Sequence, residues 1–298
     1  MITTKQLREW NDLGLFPNET EDEAAFVKRV RDCLYCSNQF EEYASSLPLV
    51  LRAKRISKIQ MSPALALLQK EYGIYPDWMI AVFSNKGLAS WHGGRFCLHE
   101  LKEHHALLPI VQVRRELAKG KHYLTIYSLK EILAHEGVHL CRMAFTGTRY
   151  EETLAYFVST SRIRKWLGPL FTSPIEAMIF VALVFVGLIA QGWTLLSGHL
   201  EYYPIAMWIQ LFPLALIAWG GVRLASRYRK LKKCLNNLCG IFRNKKHSQH
   251  ILYRLSDAEI DLFAKRSPGE IVEYAKEKKC FSLRWQLIWQ AYFSRSKQ

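Results

Sequence analysis

The stretch "LKEILAHEGVHLCRMAF", residues 129–145, decides how this chain of 298 residues is read. Within it, His135-Glu136-Gly137-Val138-His139 sets two histidines four apart, with a glutamate directly after the first. On a helix, side chains at i and i+4 share a face, so His135 and His139 can turn imidazole nitrogens toward one metal ion. Glu136 is rotated by about 100° from His135 and cannot join them as a ligand in the same plane. It can instead take a proton from a water that the metal activates, which is the chemistry this spacing serves. Alone, the pentapeptide is ambiguous, because histidine pairs on helices are more often packed or exposed than metal-bound.

The flanks sharpen it. Ser128 followed by Glu131 is a capping-box pattern that opens a helix, and Gly147 in "FTGTR" is the expected stop. A second helix is expected from about Tyr150 through "EETLAYFVSTSRIRKW". A catalytic zinc site needs a third protein ligand and one open position. The tight turn at 146–149 makes the next helix the element that returns to the histidines, and it opens with Glu151 and Glu152. Glu152 has the small Ala155 one turn on, which suits a ligand helix approaching closely, so Glu152 is the expected ligand. Glu151 reads as a first-turn acid favoured by the helix dipole. Tyr150, Tyr156 and Arg149 are candidate donors to a developing oxyanion.

Together, "HEGVHLCR" (135–142) and "EETLAYF" (151–157) resemble the HExxH peptidases with a Gln-Glu-Gly-Leu-Ala motif, the family that includes the tubulin tyrosine carboxypeptidases. The resemblance is confined to about residues 128–157. It implies a gluzincin-type centre, with one zinc ion held by His135, His139 and Glu152 and with Glu136 as general base. It also implies an α+β zincin-like metallopeptidase domain, mainly helical with a small sheet. Leu154 and Ala155 match the motif, and Arg142 matches the arginine after the histidines. Glu151 stands where Gln is usual, and Thr153 replaces Gly.

Downstream, Ala177 to Val222 contains no Asp, Lys or Arg, and Glu201 is its one acid. Each half is about the 20 residues a helix needs to cross a bilayer. Trp193, Tyr202, Tyr203 and Trp219 lie near the ends, where amphipathic rings favour the headgroup zone. The expected organisation is a metallopeptidase domain (1–166), a two-helix transmembrane hairpin (174–223, spans about 176–197 and 203–223), and a basic juxtamembrane segment with a helical tail (224–298). Arg162, Arg164 and Lys165 precede the hairpin and Arg223, Arg227 and Arg229 follow it, while its loop has no Lys or Arg. The positive-inside rule then puts both termini in the cytoplasm, as for a bacterial inner-membrane protein. The basic 227–247 segment accounts for much of the net charge of +15 and suits anionic lipid better than nucleic acid, because it begins where a membrane helix ends. Glu152 lies about 20 residues before the first span, so a continuous helix would hold the zinc site about 30 Å away from it.

Elsewhere the signals are structural. Residues 1–60 read as helical, with Thr4 and Asn18 as caps. Residues 75–99 read as a hairpin or two short strands, broken at Asn85-Lys86-Gly87 and Gly93-Gly94. Residues 108–117 and 122–127 are further strands, available to pair with an extended substrate, joined by a turn at 118–121. Ser256 with Glu259, and Ser267-Pro268 with Glu270, open two late helices. Seven cysteines, an odd number, fit a reducing compartment, and Cys33 and Cys36 read as packing residues. His92, His99, His104, His105 and His122 read as surface or structural. "MITTKQLREWND" has no apolar run of a signal peptide. The expected function is a membrane-anchored zinc peptidase acting on a cytoplasmic protein or peptide; the alternative is a catalytically inactive membrane scaffold that recruits a partner.

Overall fold

A computed structural model describes residues 2–40, 54–101, 106–120, 122–123, 127–147 and 149–294. Helix α1 (Thr4–Asp12) starts under a capping box of Thr3 with Gln6, and α2 (Glu23–Asn38) under Asp22. The expected caps were one residue late and four residues early: Thr4 is already helical, and Asn18 sits in the preceding loop with its amide on Glu21. Helix α3 (Lys58–Tyr72) opens with Ser57 and Gln60 and ends at Gly73, whose positive φ closes it.

Strands β1 (Ile80–Phe83), β2 (Gly94–Leu101) and β3 (Ala106–Val113) form one sheet in the order β1-β3-β2. β1 runs parallel to β3 with Ile80 opposite Ile110, and β2 runs antiparallel with Gly94 opposite Val113. The 75–99 region therefore supplies two strands but no hairpin, because both pair with β3. Being central, β3 has no free edge to offer a substrate; among the described residues, β2 does. The 108–117 candidate stops at Val113, and the short helix α4 (Glu116–Lys119) takes the first two residues of the expected turn, whose Lys121 lies outside the described residues. Residues 122–127 supply only the two-residue strands β4 (His122–Tyr123) and β5 (Tyr127–Ser128).

Helix α5 (Leu129–Cys141) carries the two histidines. Ser128 accepts from the Glu131 amide at 3.3 Å, but the capping box is half made. The Glu131 side chain turns away to Thr160 and Arg164. α5 ends at Cys141, well before Gly147. The glycine serves a close approach instead: a Cβ there would lie 2.6 Å from the Asp257 carboxylate. The helix expected from Tyr150 onward is two helices, α6 (Glu151–Phe157) and α7 (Arg162–Leu167), with the chain turning between them.

Two helices are long and apolar enough to cross a membrane, α8 (Pro174–Ser197) and the first part of α9 (Tyr203–Phe242). Their large side chains face outward, Ile189 at 69% and Trp208 at 69% exposed, unlike those of a soluble core helix. An ion pair at 2.7 Å between Arg223 and Glu176 joins their charged ends. α9 does not stop there. It runs on through the basic segment, burying Leu231, Cys234 and Leu238 while Arg229, Lys232 and Lys233 stay exposed.

The chain after the second apolar run is no peripheral tail. Helices α10 (Lys245–Tyr253), α11 (Asp257–Phe263), α12 (Pro268–Lys278) and α13 (Leu283–Ile288) contribute Ile251, Phe263, Ile271 and Trp285 to the same core cluster as Leu133 and Leu154. Both expected capping boxes, at Ser256 and Ser267, are formed. Arg142 is buried and donates to the carbonyls of Tyr253, at 2.5 Å, and Leu255, at 3.2 Å. Arg254 reaches Asn11 and the Tyr72 carbonyl. Cys33 and Cys36 are free and buried, and burial pushes the Cys33 thiol up to about 12, as befits a packing residue.

Candidate metal centre

His135 and His139 lie one turn apart on α5, and α6 crosses in front of them. Among the described residues, His135, His139 and Glu152 are the group whose donor atoms converge, all within 4.8 Å of one another. The two Nε2 atoms are 3.4 Å apart. Glu152 Oε2 is 3.6 Å from His135 Nε2, and its Oε1 is 3.4 Å from His139 Nε2. Three tetrahedral ligands at zinc distances of about 2.0–2.1 Å stand about 3.4 Å from one another, and each of these contacts, with the two Glu152 oxygens facing one histidine each, is close to that spacing. Two imidazole nitrogens and one carboxylate oxygen are also a donor set that zinc accepts.

α6 holds the histidines as well as the carboxylate. Glu151 Oε1 lies 2.8 Å from His139 Nδ1, so that ring nitrogen is the donor and Nε2 is the atom turned to the cluster, a ligand once it gives up its proton. His135 is hydrogen-bonded to the Ala155 carbonyl. α6 is in turn fixed from behind, with Tyr72 donating to the Leu154 carbonyl at 2.5 Å. Asp257 accepts from the Arg149 amide at 2.7 Å and shapes the turn that delivers α6.

Electrostatics differ sharply between neighbours. Burial drives His135 down to about 3, with His139 and Arg164 adding to the fall. Burial also opposes charge on His139, but the Glu151 hydrogen bond and the Glu136 and Glu152 carboxylates overcome it and raise this imidazole to about 9. Burial pushes Glu136 up to about 7, the range of a general base at neutral pH. The negative pocket is thus balanced by a proton on His139, a role a cation would take over.

The cluster lines a cleft of about 730 Å³. Its walls include Gly94 to Phe96 of β2, Tyr156, Arg164 and His92. β2 can pass this close because of its glycines: a Cβ on Gly94 would stand 2.6 Å from Ile132 and 2.9 Å from the Gln112 carbonyl. What looked like a break in a strand pattern is the contact between strand and helix.

Of the three candidate oxyanion donors, Tyr156 lines the cleft, its ring 4.8 Å from that of His135. Arg149 and Tyr150 are both held by Asp261, each at 2.5 Å, and neither lines the cleft. His92, read as surface or structural, lines the cleft beside Trp91. His99 has a buried Nε2 without a partner, His122 is exposed, and His104 and His105 lie outside the described residues. Arg164 and Arg95 also line the cleft; neither carries a motif that would single it out.

Comparison of this chain with protein-family models, curated proteins and solved structures gives no match.

Proposed function

We propose that this protein is a membrane-anchored zinc peptidase of the gluzincin type. The observation that carries the reading is the convergence of His135 Nε2 and His139 Nε2, 3.4 Å apart, on the Glu152 carboxylate, whose Oε2 lies 3.6 Å from the first and Oε1 3.4 Å from the second. His135, His139 and Glu152 would hold the ion. When bound, zinc supplies Lewis acidity, polarising a peptide carbonyl and making water a nucleophile near pH 7.

The chain's own residues then do the proton work. Glu136 is buried beside the cluster, and burial keeps its carboxyl near neutrality, so it can take a proton and pass it to the leaving amine. The Tyr156 hydroxyl, in the cleft wall, is a donor for the developing oxyanion. The free edge of β2, at Arg95 and Phe96, offers backbone groups to an extended peptide. α8 and the first part of α9 anchor the protein in a bilayer, with Lys and Arg on the cytoplasmic side. Exposed Arg229, Lys232 and Lys233 face anionic headgroups.

The test is metal analysis and peptide hydrolysis on the full chain in detergent micelles. One zinc per chain is expected, and Glu136→Gln should keep the metal while losing turnover. A chain that binds no zinc at neutral pH ends this reading. A Glu136→Gln chain that hydrolyses like the parent ends the catalytic role of Glu136.

A further inference from the structure

The metal centre was expected about 30 Å along a continuous helix from the first apolar span. The chain instead doubles back. After α6 it turns at 158–161, and after α7 a short 3-10 turn, Gly168–Leu170, leads to α8. Gly168 packs on the Tyr156 ring, and that ring packs on His135. Two residues further on, Leu170 packs against Gly220 of α9, and its carbonyl accepts from Arg223 at 3.1 Å. Phe171 stacks near Phe180 of α8, ring centroids 5.5 Å apart.

The level of the bilayer follows from the charges. Glu176 and Arg223 pair where the charged sequence ends, and between them only Glu201 is charged at neutral pH. Leu170 and Phe171 therefore sit at the edge of the apolar zone. The cleft that holds the metal cluster runs to this edge: Phe171, Thr172, Ser173 and Ala177 line it. The apolar surface continues onto α7, where Ile163, Trp166 and Leu167 are 72%, 61% and 58% exposed directly ahead of the span. Trp166 lies 4.8 Å from the Tyr228 ring, one turn beyond Arg223, in the zone that aromatic side chains favour.

From this placement we infer that the substrate is a membrane-tethered polypeptide, the juxtamembrane segment of another membrane-spanning chain. The inference rests on the peptidase reading above. Extended chain covers about 3.3 Å per residue, so a strand leaving the bilayer beside α8 can follow the cleft from Ser173 to the cluster within a short run of residues. Hydrolysis there consumes one water, breaks one peptide bond and leaves a new carboxylate on the membrane-distal or membrane-proximal fragment and a new amine on the other. Tethering also supplies the substrate at a high effective concentration.

The experiment uses the full chain with zinc in phosphatidylcholine–phosphatidylglycerol vesicles. The probe is a randomised peptide pool of about ten residues, offered in three forms: fused directly after one apolar transmembrane helix, fused to the same helix through a Gly-Ser spacer of about 20 residues, and free. The directly fused pool should be cut at least about tenfold faster than the other two, with new ends within about six residues of the helix. A photo-cross-linking residue in place of Thr172, in the Glu136→Gln chain, should capture the directly fused pool and not the free one. Equal cutting of free and fused pools, or capture of both alike, overturns the inference and leaves the peptidase reading intact. No cutting of any pool by a chain that holds its zinc overturns both.

Discussion

The Glu151 carboxylate stands 2.8 Å from Nδ1 of His139, across the ring from the Nε2 that faces Glu152 at 3.4 Å. Adjacent acids on one short helix thus address opposite edges of one imidazole. Glu152 completes the cluster and Glu151 orients a member of it. A carboxylate behind a ligating histidine fixes its tautomer and makes it a better donor, and losing it costs about 10–100-fold in metal affinity. Glu151→Gln should therefore bind zinc with affinity lowered by about that factor. Glu152→Ala removes a proposed ligand and should lower it much further. Chelator-competition titration of the two variants separates the roles; equal losses would contradict the assignment.

Gly94 sits where β2 crosses α5, and no side chain fits there. Its would-be Cβ meets the Gln112 carbonyl at 2.9 Å, and backbone cannot step aside as a side-chain tip can. Gly94→Val should destabilise the fold by about 1–3 kcal/mol, the usual cost of overpacking. It should also move β2 off the cleft and reduce hydrolysis more than zinc binding. Thermal unfolding and metal stoichiometry of the same sample test both parts. An unchanged melting temperature would show that strand and helix do not approach so closely.

Removing residues 245–294 tests whether the late helices belong to the core. Ile251, Leu252, Phe263, Ile271 and Trp285 would be lost from the core cluster. At about 1.5–3 kcal/mol per fully buried large side chain, five of them amount to about 10 kcal/mol, comparable to the whole stability of a domain. The truncated chain should lose cooperative unfolding and zinc binding together. Arg142→Ala is the milder version. It orphans two buried carbonyls, of Tyr253 and Leu255, and should cost about 2–4 kcal/mol. A truncated chain that melts cooperatively at the parent temperature would show an independent N-terminal unit.

Local chemistry was legible in the sequence where one short segment decides it. The i, i+4 histidines on one helix face and the capping boxes at Ser256 and Ser267 are all set by residues within a turn or two of each other. What escaped was decided by distant partners. Glu131 reads as a capping residue because Ser128 is near in sequence, yet Arg164 offers it a charge. Gly147 reads as a helix stop, while the constraint on it comes from Asp257. Residues 75–99 carry correct strand patterns, but strand order depends on β3, and nothing local says that β1 and β2 will both choose it. The basic run after Arg223 looks solvated throughout, and only its spacing of Leu231, Cys234 and Leu238 hints at a buried face.

Glu131 gives the pH prediction. Its burial alone would raise the carboxyl, but the hydroxyl and amide of Thr160 and the Arg164 guanidinium more than offset this and hold it below the ordinary carboxylate value. A carboxyl depressed in the folded state contributes stability that is fully present above its unfolded value of about 4.3. That contribution fades as pH falls through the lower folded value. Breaking one partner of a buried pair costs about 3–5 kcal/mol, so Glu131→Gln should melt well below the parent at pH 7. The gap should narrow steadily as the pH drops below about 4. Because Thr160 and Arg164 lie on the segment that carries the chain from α6 into α7, the variant should also loosen the cleft wall at Arg164. Thermal melts of both proteins in the same micelles, from neutral to acid pH, read the effect, and a gap that stays constant across that range would show that the Glu131 charge contributes nothing to the fold.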